Sequence, residues 1–439
     1  MHDGRAQKPR YDKAGNLIQS ADQRSGVLNY VYDKIGRIQE ARNSQSGRSE
    51  TFAFDPAHNI LSDKAAEGKG KSSNLSSGNR LKEYNGIEYT YDALGNLIYR
   101  QLPDGENQYY QYDLENQLVR AEIKKAAGNT EIWEYAYDPF GRRLSKERQD
   151  KLAWTSTDPK RTHFVWDGSH LLQEYTYKGS YTYIYTDQDS YEPLAQVFRN
   201  NQDEAQYLAY FHNDQIGIPR EMTDIYGNLL WYGEYTAWGR LKKDERVYKD
   251  AHQPFRLQNQ YYDEETGLHY NLMRYYEPEA GRFVNQDPIG LLGGDNLYQF
   301  APNTQDWIDP WGLVKLGGVA PYGSKKHVGD NLDAHEMLRN AFLKDSPLTT
   351  ITNRQGAKGN PAMGLTKDLH RAVHDAEARL RAAKGMGRND YFKRGKDEIR
   401  IMYRAMQEVL VENKKVITQN QLRQMRKQAI KFAKKHKCY

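Results

Sequence analysis

Residues 91–98 read Tyr-Asp-Ala-Leu-Gly-Asn-Leu-Ile, and this motif recurs along the first half of the chain. Its other copies, several of them looser, begin at Tyr11, Tyr32, Phe54, Tyr112 and Tyr137. Each copy predicts a strand, a tight turn and a second strand, because Asp accepts backbone N–H bonds in a turn and Gly or Asn tolerates positive φ. A single hairpin cannot bury its own face, so the copies are expected to stack into a continuous antiparallel sheet.

The composition supports this β-rich interpretation. Tyr is unusually frequent, with 34 residues against 12 Phe in a chain of 439. Tyr suits half-buried strands, because the ring packs while the hydroxyl reaches water. At 439 residues the chain is long enough for two or three domains, and its 38% of hydrophobic residues can support packed cores.

The formal charge changes sign after Leu313. Residues 314–439 contain 27 Lys and Arg against 12 Asp and Glu, a charge of +15. The whole chain contains 63 against 58, so residues 1–313 contain 36 against 46, a charge of −10. This split indicates two modules with different partners, and the basic one is a candidate for binding nucleic acid. The alternative is a basic surface that only aids solubility.

The cysteine count and the apolar runs exclude several classes of protein. Cys438 is the only cysteine in the sequence, which leaves no internal disulfide and no cysteine-based zinc site. No apolar run has the length of a membrane span, and no apolar segment follows the N-terminal Met-His-Asp-Gly-Arg as in a signal peptide. We therefore expect a protein made in the cytoplasm and exported by a route that reads no such signal.

An ordered series of motifs near the end of the first part resembles the late core of the Rhs/YD-repeat proteins. Its members lie at residues 210–220, 227–239, 253–256, 267–270, 274–276, 281–283, 287–290, 296–298 and 309–313. The resemblance implies a hollow β-shell of YD repeats that carries a variable C-terminal toxin. It predicts a YD-repeat region over residues 1–200, a conserved core end over 201–313 and a toxin domain over 314–439. Family cores are longer than this one, so an incomplete shell is expected.

Two Asp-Pro pairs, which begin at Asp287 and Asp309, flank the end of this core. Locally each predicts a turn, because the residue before Pro is confined to extended geometry. The Rhs resemblance implies a second role: family members cleave themselves after the Leu of Asp-Pro-x-Gly-Leu, using two aspartates that match Asp287 and Asp309. Paired carboxylates can share a proton and act as base and acid. The cleaved bond would join Leu313 to Val314.

The tail differs in composition, with more Ala, Leu, Lys and Arg. Three helices are predicted, over residues 369–384, 398–412 and 421–436. The third helix is strongly basic and is expected to contact nucleic-acid phosphates without reading base sequence. Its candidate contact residues are Arg423, Arg426, Lys427, Lys431, Lys434 and Lys435.

Two histidines lie four residues apart on the first predicted helix. At this spacing the imidazoles of His370 and His374 face one side and can hold a divalent metal, although surface helices also carry such pairs by chance. Asn360 precedes His370 by ten residues, and His335-Glu336 lies further upstream. This order resembles the HNH/endonuclease VII-like (ββα-metal) nucleases. In that family a hairpin strand supplies a histidine base or ligand, an asparagine fixes the active loop, and the helix supplies metal-binding histidines.

The nuclease resemblance implies a small α-rich domain of the ββα-metal type. Its metal, Mg, Zn or Mn, would be held by His335, His370 and His374. Glu336 would then be the general base, and Asn360 would hold the loop that aims it. A second assignment makes His335 itself the base.

Together the two resemblances imply a polymorphic toxin of interbacterial competition, whose tail is a nuclease with DNA as the expected substrate. They also imply release by self-cleavage after Leu313, a cognate immunity protein, export by type VI secretion and action in the target-cell cytoplasm. Two alternatives stay open: a non-catalytic helical module that binds nucleic acid or a partner, and a toxin of another chemistry. Against the second, the tail has no Gly-rich phosphate loop, no nucleophilic Ser or Cys motif and no paired cysteines for a deaminase zinc.

Overall fold

The computed structural model describes most of the first 305 residues and parts of the tail. The described residues are 9–12, 16–61, 74–150, 160–187, 190–290, 295–305, 307, 309, 312, 319–321, 333–336, 361–365, 367–387, 390, 392, 394–413, 422, 425–427, 429–430 and 433–434. The chain divides into two compact units, Met1–Arg10 with Leu17–Leu313, and Tyr11–Asn16 with Val314–Tyr439. The division of the first part at residue 200 stays a prediction.

The first YD copies form a five-stranded meander. Its strands are β1 (Arg10–Tyr11), β2 (Leu17–Asp22), β3 (Gly26–Tyr32), β4 (Ile38–Asn43) and β5 (Ser49–Thr51). A short antiparallel pair follows, β6 (Leu75–Ser76) and β7 (Arg80–Leu81), joined by a 3-10 turn at Ser77–Asn79.

Fifteen strands follow one another in chain order in the second sheet. They are β8 (Glu83–Tyr84), β9 (Ile87–Tyr91), β10 (Leu97–Gln101), β11 (Asn107–Tyr112), β12 (Leu118–Lys124), β13 (Thr130–Tyr137), β14 (Arg143–Arg148), β15 (Arg161–Asp167), β16 (His170–Thr176), β17 (Gly179–Tyr185), β18 (Pro193–Asn200), β19 (Gln206–Asn213), β20 (Pro219–Asp224), β21 (Leu229–Tyr235) and β22 (Leu241–Arg246). Neighbouring strands pair antiparallel, as in β9 with β10 and β21 with β22. The mainly antiparallel β fold predicted for this part is confirmed.

The YD motif makes the hairpin turn as its residue types predict. In the copy at residues 91–98, the Asn96 N–H donates to Asp92 Oδ1 at 2.8 Å, and the Asp92 N–H donates to the Asn96 carbonyl at 2.9 Å. Gly95 between them has a φ of +88°. Because a Cβ strongly disfavours this backbone conformation, the turn requires glycine or a residue such as Asn.

Two of the motif tyrosines bond through their hydroxyls to a backbone carbonyl of the neighbouring strand. Tyr32 Oη donates to the Leu17 carbonyl at 2.7 Å, and Tyr137 Oη donates to the Leu118 carbonyl at 2.8 Å. In both cases the ladder between the two strands begins two residues beyond that carbonyl, at Gln19 and Arg120. The hydroxyl therefore supplies the donor that the ladder does not, and a backbone acceptor is satisfied.

The two large sheets meet at their ends. Arg24, in the turn after β2, pairs with Glu221 of β20 at 2.9 Å. Glu50 of β5 accepts the Ala237 N–H at 2.8 Å and pairs with Lys242 of β22 at 2.5 Å. The first sheet therefore packs beside the last strands of the second, while the expected incompleteness of the shell stays a prediction.

Residues 251–305, the inner segment, run against the second sheet. Four strands form its sheet: β23 (Tyr261–Tyr262), β24 (His269–Asn271), β25 (Arg274–Glu277) and β26 (Arg282–Phe283). Its side chains bond to the YD turns, since Tyr298 Oη donates to the Gly95 carbonyl and Asn303 Nδ2 to the Gly36 carbonyl, both at 2.8 Å. The repeat turns thus hold the segment that carries the first Asp-Pro pair, which begins at Asp287.

A buried charge cluster also fixes the inner segment. Asp263 accepts two hydrogen bonds from Arg143 of β14, at 2.6 and 2.9 Å, and one from Lys146 at 3.0 Å. Lys146 donates a further bond to Glu265 at 2.9 Å, and all four side chains are buried. Two positive and two negative groups balance within the cluster, which makes their burial tolerable.

Asp263→Ala is expected to lower the free energy of unfolding of the first unit by about 3–5 kcal/mol, because it leaves the Arg143 guanidinium buried without its carboxylate. Glu264→Ala is the matched control. Glu264 pairs with Arg246 at 2.7 Å but is 68% exposed, so its loss should cost less than about 1 kcal/mol. Urea unfolding followed by tryptophan fluorescence measures both. Equal losses for the two variants would contradict the proposed docking role of the cluster.

The tail contains a small sheet followed by helices. Its strands are β27 (Val319–Pro321), β28 (Asp333–Glu336) and β29 (Pro361–Leu365), with β29 in the middle. Helix α1 (Lys367–Ala382) follows β29, and helix α2 (Gly395–Met406) continues as a π-helical segment, Gln407–Asn413. Of the third predicted helix, residues 422, 425–427, 429–430 and 433–434 are helical. The α-rich ββα arrangement predicted for this domain is present in β28, β29 and α1.

The apolar faces predicted for the tail helices form one core. Its buried members are Met363, Leu365, Leu369, Val373, Ala376, Ile399, Met402, Ala405, Met406, Val409, Leu410, Leu422, Met425, Ala429 and Ala433. The core joins β29, both helices and the third helical stretch. It therefore holds α1 against β29, the middle strand of the small sheet.

Candidate functional site

The two aspartates predicted for self-cleavage contact the same arginine side chain. Arg274 of β25 places Nη2 at 3.4 Å from Asp287 Oδ2 and at 3.3 Å from Asp309 Oδ2. All three side chains are buried. Residues 22 positions apart in the chain thus share a single guanidinium, and the Asp-Pro turns bring their carboxyls to one point.

The pKa of one carboxyl of this pair differs from that of an exposed carboxyl. Burial raises the pKa of the Asp287 carboxyl to about 6, an effect that the Arg274 charge opposes and the Asp309 charge assists. Burial penalises the charged form, and a second carboxylate nearby penalises it further. Asp287 is therefore suited to carry a proton in weakly acidic conditions.

Arg274 also fixes the chain beside the predicted cleavage bond. Its Nε donates to the Gly312 carbonyl, and Asn271 Nδ2 donates to the Asp309 carbonyl at 2.9 Å. Gly312 has a φ of +63°, and a Cβ there would lie 2.5 Å from the Asn271 carbonyl oxygen. Only glycine fits this turn, which accounts for the Gly of Asp-Pro-Trp-Gly-Leu. Leu313 and Val314 lie outside the described residues.

Sequence reasoning from the Asp-Pro pairs did not identify Arg274. Arg274 precedes Asp287 by 13 residues and Asp309 by 35, and no local sequence pattern links an arginine to carboxylates at these distances. The only available hint was its position in the Arg-Tyr-Tyr motif at residues 274–276.

In the tail, the predicted site residues that the structure describes lie on β28 and α1. His335 lies on β28, where its register partner is Met363 of β29, and Glu336 is opposite Ala362. Met363 is fully buried in the core that also contains Leu369 and Val373 of α1. The backbone therefore brings the His335 strand and the histidine helix together. Asn360, immediately before β29, lies outside the described residues.

The helical histidines form the pair that their spacing predicts. The ring centroids of His370 and His374 are 4.7 Å apart and nearly perpendicular. Both side chains are partly exposed, while Leu369 and Val373 beside them are buried. The helix thus turns its apolar face to the core and offers the two imidazoles along one edge of that face.

A buried ion network lies behind His374. His374 Nδ1 is 3.2 Å from Glu377 Oε2, and Glu377 Oε1 accepts two hydrogen bonds from Arg381, at 2.9 and 2.6 Å. Arg381 also donates to both oxygens of Glu398 in α2, at 3.1 and 2.6 Å. Sequence reasoning missed these residues, although three- and four-residue spacings on one helix were the available signal.

Among the described residues, no group of three or more His, Cys, Asp and Glu side chains is arranged around a common metal position. The pair of His370 and His374 is nevertheless a fitting donor set, because neutral imidazoles on one helix face are common ligands of transition metals. A third ligand would have to come from outside this set, and His335 is the predicted one.

Part of the predicted phosphate-binding surface is described. Arg426, Lys427 and Lys434 are exposed, and the Arg426 guanidinium lies 4.8 Å from the centre of the Tyr403 ring. Arg423, Lys431 and Lys435 lie outside the described residues. The exposed cations flank buried Met425, Ala429 and Ala433, as expected for a helix with one apolar and one basic face.

No described helix is both long enough and apolar enough to cross a membrane.

Comparison with known proteins identifies the first part of the chain. Residues 6–301 match the Teneurin YD-shell family. The Double-stranded DNA deaminase toxin A of Burkholderia cenocepacia is 36% identical over 326 residues, which cover 71% of this chain and 22% of that protein. The Probable deoxyribonuclease RhsA of Dickeya dadantii is 29% identical over 375 residues, which cover 82% of this chain and 24% of that protein. The chain thus spans less than a quarter of the length of these two relatives.

Among solved structures, the crystal structure of TcdB2-TccC3-TEV aligns with a TM-score of 0.43 and 17% identity over 70% of this chain and 18% of that one. The family match covers well over half of the 439 residues and contains the YD hairpins of both large sheets. The resemblance to Rhs/YD-repeat proteins that the motifs suggested is confirmed. The chain belongs to the Teneurin YD-shell family of YD-repeat proteins.

Proposed function

We propose that the protein is a polymorphic toxin whose tail is a metal-dependent nuclease of the HNH-like type with DNA as its substrate. The observation that carries this proposal is the order of β28, β29 and α1, with His335 on the first strand and His370 and His374 side by side on the helix. Two paired antiparallel strands followed by a helix with this histidine pair are the arrangement that the nuclease resemblance implies.

The alignment with the deoxyribonuclease RhsA covers more of this chain than that with the deaminase toxin, 82% against 71%, which supports nuclease chemistry in the tail. The 82% shared with RhsA is about 360 residues, so that alignment must include at least about 45 residues of the tail. The deaminase zinc also needs a pair of cysteines, and Cys438 is the only one in the sequence.

His335, His370 and His374 would hold the metal of this site. Imidazole ligands favour Zn over Mg, which prefers oxygen donors, so Zn is the ion we assign. Bound there, the ion would neutralise charge on the cleaved phosphate and on the leaving oxygen. Glu336 would take the proton from the attacking water, and Asn360 would hold the loop that aims it.

The basic helical stretch would supply binding rather than chemistry. Arg426, Lys427 and Lys434 are exposed, and Arg423, Lys431 and Lys435 extend the same sequence pattern. Lys and Arg contacts to phosphates are independent of base sequence, so this surface would bind DNA non-specifically and more weakly as salt rises.

We further propose that the tail is released by cleavage of the bond between Leu313 and Val314. The support is the shared contact of Asp287 and Asp309 with Arg274, together with the Gly312 carbonyl that the same arginine binds. Asp309 would take a proton from the water that adds to the Leu313 carbonyl carbon, and Asp287 would donate one to the carbonyl oxygen. As the C–N bond breaks, Asp309 would give its proton to the Val314 nitrogen and Asp287 would regain one from the hydroxyl. The raised pKa of Asp287 favours it as the acid.

This assignment makes self-cleavage depend on pH. The acid must be protonated, so the first-order rate of cleavage should fall as pH rises through about 6, the pKa of Asp287. Gel densitometry of the freshly purified chain between pH 5 and 8 measures the rate. A rate that rises with pH over this range would exclude Asp287 as the acid.

The relatives also suggest a biological setting. Because two of them are described by name as a toxin and a deoxyribonuclease, we propose that this protein acts in interbacterial competition. Type VI secretion would then deliver the tail to the cytoplasm of the target cell, and an immunity protein would protect the producer.

A direct test of the nuclease proposal incubates the purified full chain with supercoiled plasmid and with total RNA. Each digest is repeated with EDTA and after return of Zn, Mn or Mg. We expect nicked and linear plasmid, loss of cutting in EDTA and its recovery with the metal. Cutting of RNA alone would change the substrate, and intact nucleic acid in every digest would favour a non-catalytic binding module.

A further inference from the structure

The directions of the hydrogen bonds among Glu377, Arg381 and Glu398 determine which groups His374 can face. Arg381 is fully buried, and the exposed fractions of Glu377 and Glu398 are 4% and 1%. A guanidinium has only donors, so both carboxylates must accept from it. Glu377 Oε1 is taken up by Arg381, which leaves Oε2 to face His374 Nδ1 at 3.2 Å.

An ionised carboxylate can only accept hydrogen bonds, so the proton of the neutral His374 ring must lie on Nδ1. The ring lone pair is then on Nε2. A metal ion binds the ring nitrogen that has the lone pair. A hydrogen bond donated by one ring nitrogen leaves the lone pair on the other nitrogen, and so selects the one that binds the metal.

We propose that Glu377 is a positioning residue that fixes His374 in the Nδ1–H tautomer and so prepares Nε2 to bind the metal. Arg381, one turn further along α1, holds Glu377 in place and is itself held by Glu398 of α2. Because this assigns His374 as a metal ligand, it rests on the function proposed above. Outer-shell carboxylates of this kind raise the basicity of the histidine and fix its orientation.

The competing account is a structural one, in which Glu377 serves only to neutralise the buried Arg381. The two accounts differ for Glu377→Gln. Arg381 can use only the amide oxygen of the new side chain, so the amide NH2 group would turn to His374. That group donates, and it would force Nδ1 to accept and the proton to move to Nε2, the nitrogen that the metal needs.

Two carboxylate substitutions separate the accounts. Glu398→Gln also removes a charge from Arg381, but it leaves the Glu377 carboxylate that faces His374 in place. Glu408→Gln removes an exposed partner of Arg379, at 2.6 Å, and controls for the charge change alone. Should Glu377→Gln fold poorly, Glu377→Asp keeps the charge for Arg381 and shortens the reach to His374 by one methylene.

The test labels the full chain with 15N-histidine and reads the tautomer from the ring nitrogen shifts. His374→Ala assigns the signal among the 12 histidines. Zn affinity is measured in parallel by competition with a chromophoric chelator. We expect Nδ1–H in the unmutated chain, Glu398→Gln and Glu408→Gln, and Nε2–H in Glu377→Gln. Zn binding should weaken about 10- to 100-fold in Glu377→Gln and Glu377→Asp.

The outcomes distinguish this inference from the proposed function. If His374→Ala loses Zn while both Glu377 variants keep the Nδ1–H signal and the full affinity, the positioning role is wrong and the nuclease proposal survives. If Glu398→Gln shifts the tautomer as much as Glu377→Gln, the network is only structural. If His374→Ala binds Zn as tightly as the unmutated chain, His374 is not a ligand and both proposals fall.

Discussion

Asp309→Asn is expected to keep the chain at its full length of 439 residues. The amide has the shape of the carboxylate and retains an oxygen for Arg274, so the turn at residues 309–312 should persist. It cannot take a proton from water, however, and the loss of one member of an acid–base pair lowers a rate by about 10²–10⁴-fold. Intact-protein mass spectrometry over several hours after purification measures the effect.

Asp295→Asn is the matched control for this variant. Asp295 is exposed and lies between the two Asp-Pro pairs, so the same substitution there should leave cleavage unchanged. An unmutated chain that stays intact at pH 5.5 would contradict the self-cleavage proposal. Cleavage of Asp309→Asn at the unmutated rate would instead remove Asp309 from the mechanism.

His374→Ala and His370→Ala are each expected to abolish cutting of nucleic acid. Each removes a proposed metal ligand, and a metal that contributes several kcal/mol to the transition state corresponds to at least about a thousandfold in rate. The helix should be retained, because Ala is the better helix former and His374 is 38% exposed. Plasmid digestion measures the loss of cutting, and circular dichroism measures the retention of the helix. Asp375→Ala, an exposed substitution on α1, should keep its activity.

Glu336→Gln and His335→Ala separate the two assignments of base and ligand on β28. A variant that still binds Zn but no longer cuts has lost the base, and one that loses both has lost a ligand. We expect the first result for Glu336→Gln and the second for His335→Ala. The reverse result would make His335 the base.

The repeat hairpins were predictable because their determinants are local. Asp92, Gly95 and Asn96 form the turn through contacts within five residues, and such contacts leave a direct trace in sequence. The helical pair of His370 and His374 was predictable for the same reason. Helical periodicity alone puts both residues on one face.

The remaining features depend on contacts between distant parts of the chain. Arg143 meets Asp263 over 120 positions, and no spacing rule links a strand residue to such a partner. Arg274 contacts Asp309 over 35 positions, and no local pattern links the two. The bond from the Tyr32 hydroxyl to the Leu17 carbonyl was not predictable, since composition does not reveal that the strand ladder stops two residues short of that carbonyl.

The most direct test of the metal-dependent nuclease is plasmid cleavage measured against bound metal. The purified full chain is stripped with EDTA and dialysed, Zn is returned in steps, and native mass spectrometry counts the ions bound to each chain. We predict that the stripped protein leaves the plasmid intact and that the cleavage rate rises with occupancy until one site is filled. Undiminished cutting by the stripped chain, or one equivalent of Zn bound equally by a variant that combines His370→Ala and His374→Ala, would contradict the account.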